Sequence, residues 1–364
     1  MAPPRIALAL PTLGGGGAER VAITLAQGFL ARGDAVDFVL GQAKGAFIGS
    51  VPAGARVIDL GAIRMRDTVR PMARYLSEIR PDAVHASMWP MTSYTVLAHR
   101  LARSQATLVL TDHVNLSAEH AKRGFIHGLA MRLSMATTYR AADAVSAVSQ
   151  GVARDIAKLA CLPQGRVLAI YNPIPRAEHG SGAKSPWHDE GARILSVGSL
   201  KPQKNHALLL DAFAELLKYR QAQLTIVGEG PLRPVLEQRA EDLGIQEKVR
   251  FVGFVEDPSS WYRSADLFVL SSDFEGFGNV LVEALDHGLR VVSTDCPDGP
   301  AEILKSGRHG TLVPAGDVLA LAGAMHQTLS TPADPAAARE RAGDFAPERT
   351  IEHYRTLLLA RRPA

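Results

Sequence analysis

Two glutamates eight positions apart, Glu275 and Glu283, frame a glycine-bearing turn in the stretch Ser271-Ser272-Asp273-Phe274-Glu275-Gly276-Phe277-Gly278-Asn279-Val280-Leu281-Val282-Glu283-Ala284. Gly276 and Gly278 let a backbone come close to a ligand, and the first N–H groups of the helix that follows form a seat for phosphate. The spacing predicts Glu275 in the loop and Glu283 nearly two turns into the helix. One acid would then face the mouth of a cleft while the other reaches its wall. Taken singly, Glu275 could merely support the helix N-terminus and Glu283 could be a solvated helix residue. A pair spaced around a glycine-rich turn favours a ligand site.

Two further sets of residues carry chemistry. His113 follows the apolar run Thr107 to Thr111 in Thr111-Asp112-His113-Val114-Asn115, so its imidazole is expected at the C-terminal edge of a strand, with Asp112 orienting it or capping the loop. Gly14-Gly15-Gly16-Gly17 follows another apolar run and could open a dinucleotide fingerprint. Glu19 nevertheless occupies the third glycine position, and Asp37 falls inside its strand rather than at its end. No Asp-x-Asp triplet occurs, and no His, Cys or carboxylate cluster has metal-ligand spacing, so a metal-dependent reaction is disfavoured.

Positioning these residues requires strands that end beside them. Short apolar runs alternate with helix-like segments throughout, the pattern of parallel sheets covered by helices. The first half offers strands at Ile6 to Leu10, Val36 to Leu40, Arg56 to Leu60, Ala83 to Ala86, Thr107 to Thr111 and Ala144 to Val148. Val21, Leu25 and Phe29 mark one face of a helix over Ala18 to Arg32. The second half offers Ile194 to Val197, Gln223 to Val227, Val249 to Phe251, Leu267 to Leu270, Val291 to Thr294 and Gly310 to Val313. The expected organisation is an N-terminal Rossmann-like domain over 1–175, a Gly/Ser/Pro-rich linker over 176–192 and a second Rossmann-like domain over 193–346. A final helix over 347–364, carrying Ile351, Tyr354, Leu357 and Leu358, is expected to pack back on the N-terminal domain.

A length of 364 residues fits two such domains. The net charge of +3, from 40 Lys and Arg against 37 Asp and Glu, excludes nucleic-acid binding over the whole surface. The basic surplus is local, with twelve Lys and Arg against six Asp and Glu between Arg56 and Arg140. Arg64 to Leu76 and Lys122 to Leu133 mix cations with large apolar groups such as Phe125, Ile126 and Met131. That composition suits an anionic bilayer surface, a phosphate-bearing acceptor, or a solvated face whose apolar members point to the core. No run reaches the 18 apolar residues of a membrane span, and two cysteines fit a reducing cytoplasm.

The segment from Glu275 to Glu283 resembles the Glu-x7-Glu signature of glycosyltransferase family 4, retaining enzymes of the GT-B fold. Gly14 to Arg20 is similar to that family's Gly-Gly-Ala-Glu-Arg loop, and Val197-Gly198-Ser199-Leu200-Lys201-Pro202-Gln203-Lys204-Asn205 to its Gly-Arg-Leu-x-x-x-Lys-Asn element. Val227 to Pro231, Phe251 to Phe254 and Ser293 to Pro300 with Glu302 also match, in the same order. The resemblance implies two Rossmann-like domains facing a cleft and transfer of a sugar from a nucleotide-diphosphate donor, a UDP-hexose or UDP-N-acetylhexosamine, to a hydroxyl of a glycan or lipid-linked acceptor. It makes His113, Lys204 and Glu275 the catalytic set. Lys204 would hold the diphosphate, Glu275 the hydroxyls of the transferred sugar, and Glu283 the ribose. Gly16, Gly17, Ser199, Gly230, Phe254, Gly276, Phe277 and Gly278 would complete the donor site. The family's Arg is Ser199 here, and Lys201 is a candidate substitute. The resemblance implies no cofactor and no metal, and a cytoplasmic enzyme, peripheral on the inner membrane face. A GT-B epimerase, a nicotinamide-dependent oxidoreductase and a non-catalytic sugar-binding protein are the alternative readings.

Overall fold

The computed structural model describes residues 2–177, 187 and 191–360. The chain divides into two compact units, Met1–Pro175 with Ala346–Ala364, and Arg176–Phe345. Most of the linker read over 176–192 and the terminal residues beyond Ala360 lie outside the described residues. Arg176 and Ala177 belong to the second unit, where Arg176 Nε pairs with Asp286 Oδ1 at 2.7 Å and the Ala177 amide donates to Asp286 Oδ2.

The first unit holds seven parallel strands, β1 (Arg5–Leu10), β2 (Ala35–Leu40), β3 (Arg56–Asp59), β4 (Ala83–Ser87), β5 (Thr107–Asp112), β6 (Ala144–Ala147) and β7 (Val167–Ala169), in the order β3-β2-β1-β4-β5-β6-β7. Ile6 pairs with Val36 on one side and Ala83 on the other, so β1 lies beside the point where the order reverses. The second unit repeats the scheme with β8 (Ala192–Val197), β9 (Ala222–Val227), β10 (Val249–Gly253), β11 (Leu267–Leu270), β12 (Arg290–Thr294) and β13 (Thr311–Val313), in the order β10-β9-β8-β11-β12-β13. Ile194 pairs with Leu267 and Leu195 with Phe268, which places the second reversal between β8 and β11. In open α/β sheets such reversals leave a crevice at the carboxyl ends of the strands, and ligands bind there. β7, only three residues long, was too short to read from the apolar pattern.

The helices that matter for the site are α1 (Gly17–Ala31), α2 (Val69–Ile79), α3 (Phe125–Thr138), α4 (His206–Leu217), α5 (Ser259–Ser264), α6 (Asn279–Asp286) and α7 (Pro347–Leu359). Val21, Leu25 and Phe29 of α1 are buried in the first core, together with Ile351, Tyr354 and Leu358 of α7. The two helices meet at Gly28, where a Cβ would lie 2.4 Å from Ile351 Cδ1, so only glycine permits the approach. Burying side chains such as Ile351 and Leu358 stabilises the unit by about 1.5–3 kcal/mol each. An ion pair between Arg355 and Asp34 at 2.8 Å closes the rim.

Candidate functional site

In the second unit the carboxyl ends of β8 and β11 bring together residues 71 positions apart. The chain leaves β8 through Gly198 and Ser199, makes a single turn over Pro202–Lys204, and enters α4 through Asn205. Asn205 sits in the left-handed region at φ 42°; its side-chain oxygen caps the Leu208 amide at 3.2 Å and its Nδ2 donates to Asp273 Oδ1 at 2.7 Å. Gln203 binds the neighbouring loop from its other side, its carbonyl accepting from the Asp273 amide at 2.9 Å and its Nε2 donating to the Phe274 carbonyl at 3.0 Å. Lys204 and Glu275 are thereby forced together. Lys204 Nζ lies 2.5 Å from Glu275 Oε1, which also accepts from Ser272 Oγ at 2.6 Å.

The pair is not a surface contact, since the two side chains are 15% and 6% exposed. Burying either charge alone would be costly, so the cation and the anion hold each other in place. His206 and Cys296 lie nearby. Burial, reinforced by the Lys204 charge, lowers the His206 imidazole to about 3, and its Nδ1 has no hydrogen-bond partner. Burial, followed by the Glu275 charge, pushes the Cys296 thiol up to about 12, so it is no nucleophile at neutral pH.

Gly278, at φ 97°, occupies the N-cap of α6 with no side-chain capping bond. The helix therefore starts at Asn279, and Glu283 lies just past its first turn rather than nearly two turns in. The correction follows from the left-handed residue, which keeps Gly276 to Gly278 out of the helix. With no side chain capping them, the first amides of α6 keep the character of an anion seat. Phe277 is buried and packs edge-on against Phe345 at 5.3 Å between ring centroids, so only its backbone is placed to meet a ligand. A Cβ on Gly230 would lie 2.5 Å from the Leu200 carbonyl oxygen, which explains the glycine by close approach of the loops after β8 and β9. Phe254 is about half exposed beyond β10, Ser199 is partly buried, and Lys201 is exposed. Glu283 is partly buried and accepts from the Tyr262 hydroxyl at 2.9 Å, a partner that no spacing in the sequence announces.

The first unit carries its own set at the carboxyl ends of β1 and β5. Gly14 to Gly17 follows β1, with Gly16 as N-cap of α1. A Cβ on Gly16 would meet Glu19 Oε2 at 2.8 Å, so the glycine makes room for that carboxylate at the helix N-terminus, where the dipole favours an acid. His113 follows β5. Both its ring nitrogens are buried without a hydrogen-bond partner, and burial lowers the imidazole to about 4, which leaves it neutral at pH 7. Asp112 does not orient it. That carboxylate accepts from the Trp89 amide at 2.9 Å and the Tyr139 hydroxyl at 2.7 Å, and burial raises it to about 6. Asp37 is fully buried and bound by Arg5, Arg56 and Tyr75, so it cannot serve as the ribose-binding acid of a dinucleotide site.

The two basic segments separate. In α2 the apolar residues Met72, Tyr75 and Leu76 are buried, so Arg64 to Leu76 is a solvated face over the core. In α3 Met131 is buried as well, contrary to its expected place at a lipid surface, because it lies on the face turned to the core together with Met135. Phe125 and Ile126 are each 83% exposed, and Leu129 and Leu133 are exposed with them. Among the described residues no group of three or more His, Cys, Asp or Glu side chains could hold a metal ion.

Residues 15–178 match the family profile described as Glycosyltransferase Family 4, and residues 191–331 the one described as Glycosyl transferases group 1. Among curated proteins the chain is 31% identical over 221 residues to the N-acetylgalactosamine-N,N'-diacetylbacillosaminyl-diphospho-undecaprenol 4-alpha-N-acetylgalactosaminyltransferase of Campylobacter jejuni, covering 61% of this chain and 60% of that one. A second Campylobacter jejuni protein, GalNAc-alpha-(1->4)-GalNAc-alpha-(1->3)-diNAcBac-PP-undecaprenol alpha-1,4-N-acetyl-D-galactosaminyltransferase, is 26% identical over 90% of this chain and 89% of its own. Matches to two further curated glycosyltransferases, Erwinia amylovora AmsD and Rhizobium meliloti LpsE, span 64% and 66% of those proteins, so the chain covers less than two thirds of these two and of the first Campylobacter relative. Among solved structures, Anabaena HepE in complex with UDP-glucose superposes with a TM-score of 0.81 at 22% identity, covering 98% of this chain and 100% of that one.

Proposed function

Because the chain belongs to the family 4 type of glycosyltransferases with the GT-B fold, we propose that it transfers a hexose or N-acetylhexosamine from a UDP-sugar to a hydroxyl of a glycan or lipid-linked acceptor, with retention at the anomeric carbon. The observation that carries this reading is the Lys204–Glu275–Ser272 cluster at the β8/β11 crevice, with Glu283 and the uncapped N-terminus of α6 beside it. The UDP-glucose held by the Anabaena neighbour and the undecaprenol-linked substrates in the Campylobacter names support the donor and acceptor classes.

Each residue has a part in the proposal. The ribose hydroxyls donate to Glu283, and the diphosphate lies on the first amides of α6. Lys204 moves from Glu275 to the phosphate oxygens, where its charge counts most as the leaving group gains negative charge. Glu275, released, accepts hydroxyls of the transferred sugar. His113, in the first unit, offers a neutral imidazole with no hydrogen-bond partner, open to a hydroxyl of a ligand bound there. The departing phosphate takes the acceptor proton, so no side chain need act as a covalent nucleophile and no metal is called on. A thermal-shift screen with UDP, GDP, ADP and their common sugars tests the donor. UDP and a UDP-sugar should raise the melting temperature by mass action, and stabilisation by another base alone would reject the UDP reading.

We place the acceptor at an anionic bilayer, against α3. Phe125, Ile126, Leu129 and Leu133 are exposed there, Lys122, Arg123 and Arg132 flank them, and no acid occurs from His120 to Ala142. Each cation near such a surface contributes about 1 kcal/mol, and the apolar side chains add burial at the headgroup boundary. Among the described residues no helix is long and apolar enough to cross a membrane. Vesicles rich in phosphatidylglycerol should pellet the protein at low salt and release the Phe125→Ser/Ile126→Ser variant. Equal pelleting of both, or of neither, would reject α3 as the contact.

A further inference from the structure

The carboxylate of Glu283 is held before any ligand arrives. The Tyr262 hydroxyl donates to its Oε2 at 2.9 Å, and Tyr262 itself is almost fully buried. The ring is fixed from two directions: it stacks on His287 with centroids 5.1 Å apart and planes 20° apart, and it packs against Phe268 of β11 at 5.7 Å. His287 lies one turn beyond Glu283, at the C-cap of α6, and its Nδ1 is 2.8 Å from the Glu283 carbonyl oxygen. The chain thus runs from the β11 core through a tyrosine ring to one oxygen of one carboxylate.

We infer that Tyr262 is a positioning residue that fixes Glu283 for a vicinal diol and so makes the site selective for ribonucleotides over 2′-deoxyribonucleotides. The inference rests on the ribose role of Glu283 proposed above. A glutamate free to rotate can turn to water when a ligand hydroxyl is missing and loses little. A glutamate pinned through Oε2 presents the same edge in either case, so a missing 2′-hydroxyl leaves a desolvated acceptor unmatched. Tyr262 touches no reacting atom in this scheme, and its effect is on donor affinity rather than on turnover.

The test is calorimetric titration of the full chain with UDP and 2′-deoxy-UDP, using the parent, Tyr262→Phe, Glu283→Ala and the double variant. Phenylalanine keeps the ring stack, and unchanged melting of the ligand-free variant checks the fold. The parent should prefer UDP by about tenfold or more. Tyr262→Phe should weaken UDP by about three- to tenfold and 2′-deoxy-UDP hardly at all, with kcat at saturating donor unchanged. In the Glu283→Ala background the same change should add nothing, because Tyr262 acts through Glu283. If Tyr262→Phe keeps the parent's ratio while Glu283→Ala loses it, Tyr262 does not position the carboxylate. If Glu283→Ala keeps the ratio too, the ribose role itself is wrong and the inference falls with it. Failure of UDP to bind the parent would remove both.

Discussion

The two sheets share a strand order up to the sixth strand, yet the polar groups at the carboxyl ends of their strands are held in different electrostatic states. In the second unit Lys204, Glu275 and Ser272 satisfy one another in a nearly closed cluster. In the first unit His113 stands with both ring nitrogens buried and unpartnered, and the N-terminus of α1 is already occupied by Glu19. The two units thus bury polar groups by two different routes. A lysine charge is costly to bury without a counter-charge, and Lys204 is held on the Glu275 carboxylate. An imidazole can instead surrender its proton, and burial has made His113 do so. In the proposed function a ligand at the second unit would exchange ion partners, whereas one at the first would supply a missing hydrogen bond.

The sharpest way to break this contrast is to remove the stored charge. Lys204→Ala should lower kcat by about 10²- to 10³-fold, the size of losing one transition-state donor. It should also destabilise the fold by about 3 kcal/mol, because Glu275 is left buried without its cation. Steady-state kinetics and urea titration measure the two effects. Turnover and stability both equal to the parent's would remove the ion pair from the account.

A smaller effect is expected at His113. Its native pKa of about 4 lies below the ordinary 6.5, so above pH 6.5 the imidazole is neutral in both folded and unfolded chains and contributes no pH dependence. As pH falls from 6.5 towards 4 the unfolded chain takes up a proton that the folded one refuses, and stability is lost. Between pH 7 and 5 the loss is about 1–2 kcal/mol from this residue. His113→Leu should flatten that acid limb while lowering activity. An unchanged slope in urea titrations at the two pH values would show that His113 is not buried as a neutral base. Smallest of all, Ser272→Ala should cost about 1 kcal/mol of stability, because Glu275 keeps Lys204 as its partner, and should raise the donor KM modestly.

The sequence announces the strands well because each is a short apolar run bounded by turn residues, and β11 carries the expected limits at both ends. It could not announce β7, whose three residues give no period. The glycine turn and both glutamates were legible as a local pattern. The meeting of Lys204 with Glu275 was not, since it depends on β8 pairing with β11 across 71 residues. Asp112 misleads for the same reason: adjacency to His113 in sequence suggests a partner, but its carboxylate reaches the Trp89 amide and Tyr139 instead. In α3 the apolar residues fall on several faces, so composition marks an apolar and basic segment without telling buried Met131 from exposed Leu129 and Leu133. Tyr262 belongs to a six-residue helix with no motif of its own, and only the packed structure brings it to Glu283.

We propose that the nucleotide is held by the second unit, at the β8/β11 crevice. Hydrogen–deuterium exchange of the full chain with and without saturating UDP tests it most directly. Protection is predicted in the peptides spanning residues 198–206 and 271–284, with the Gly14 to Arg20 loop and the Asp112 to Asn115 segment exchanging as in the free protein. Protection confined to those two segments of the first unit, with 198–206 and 271–284 unaffected, would contradict the claim.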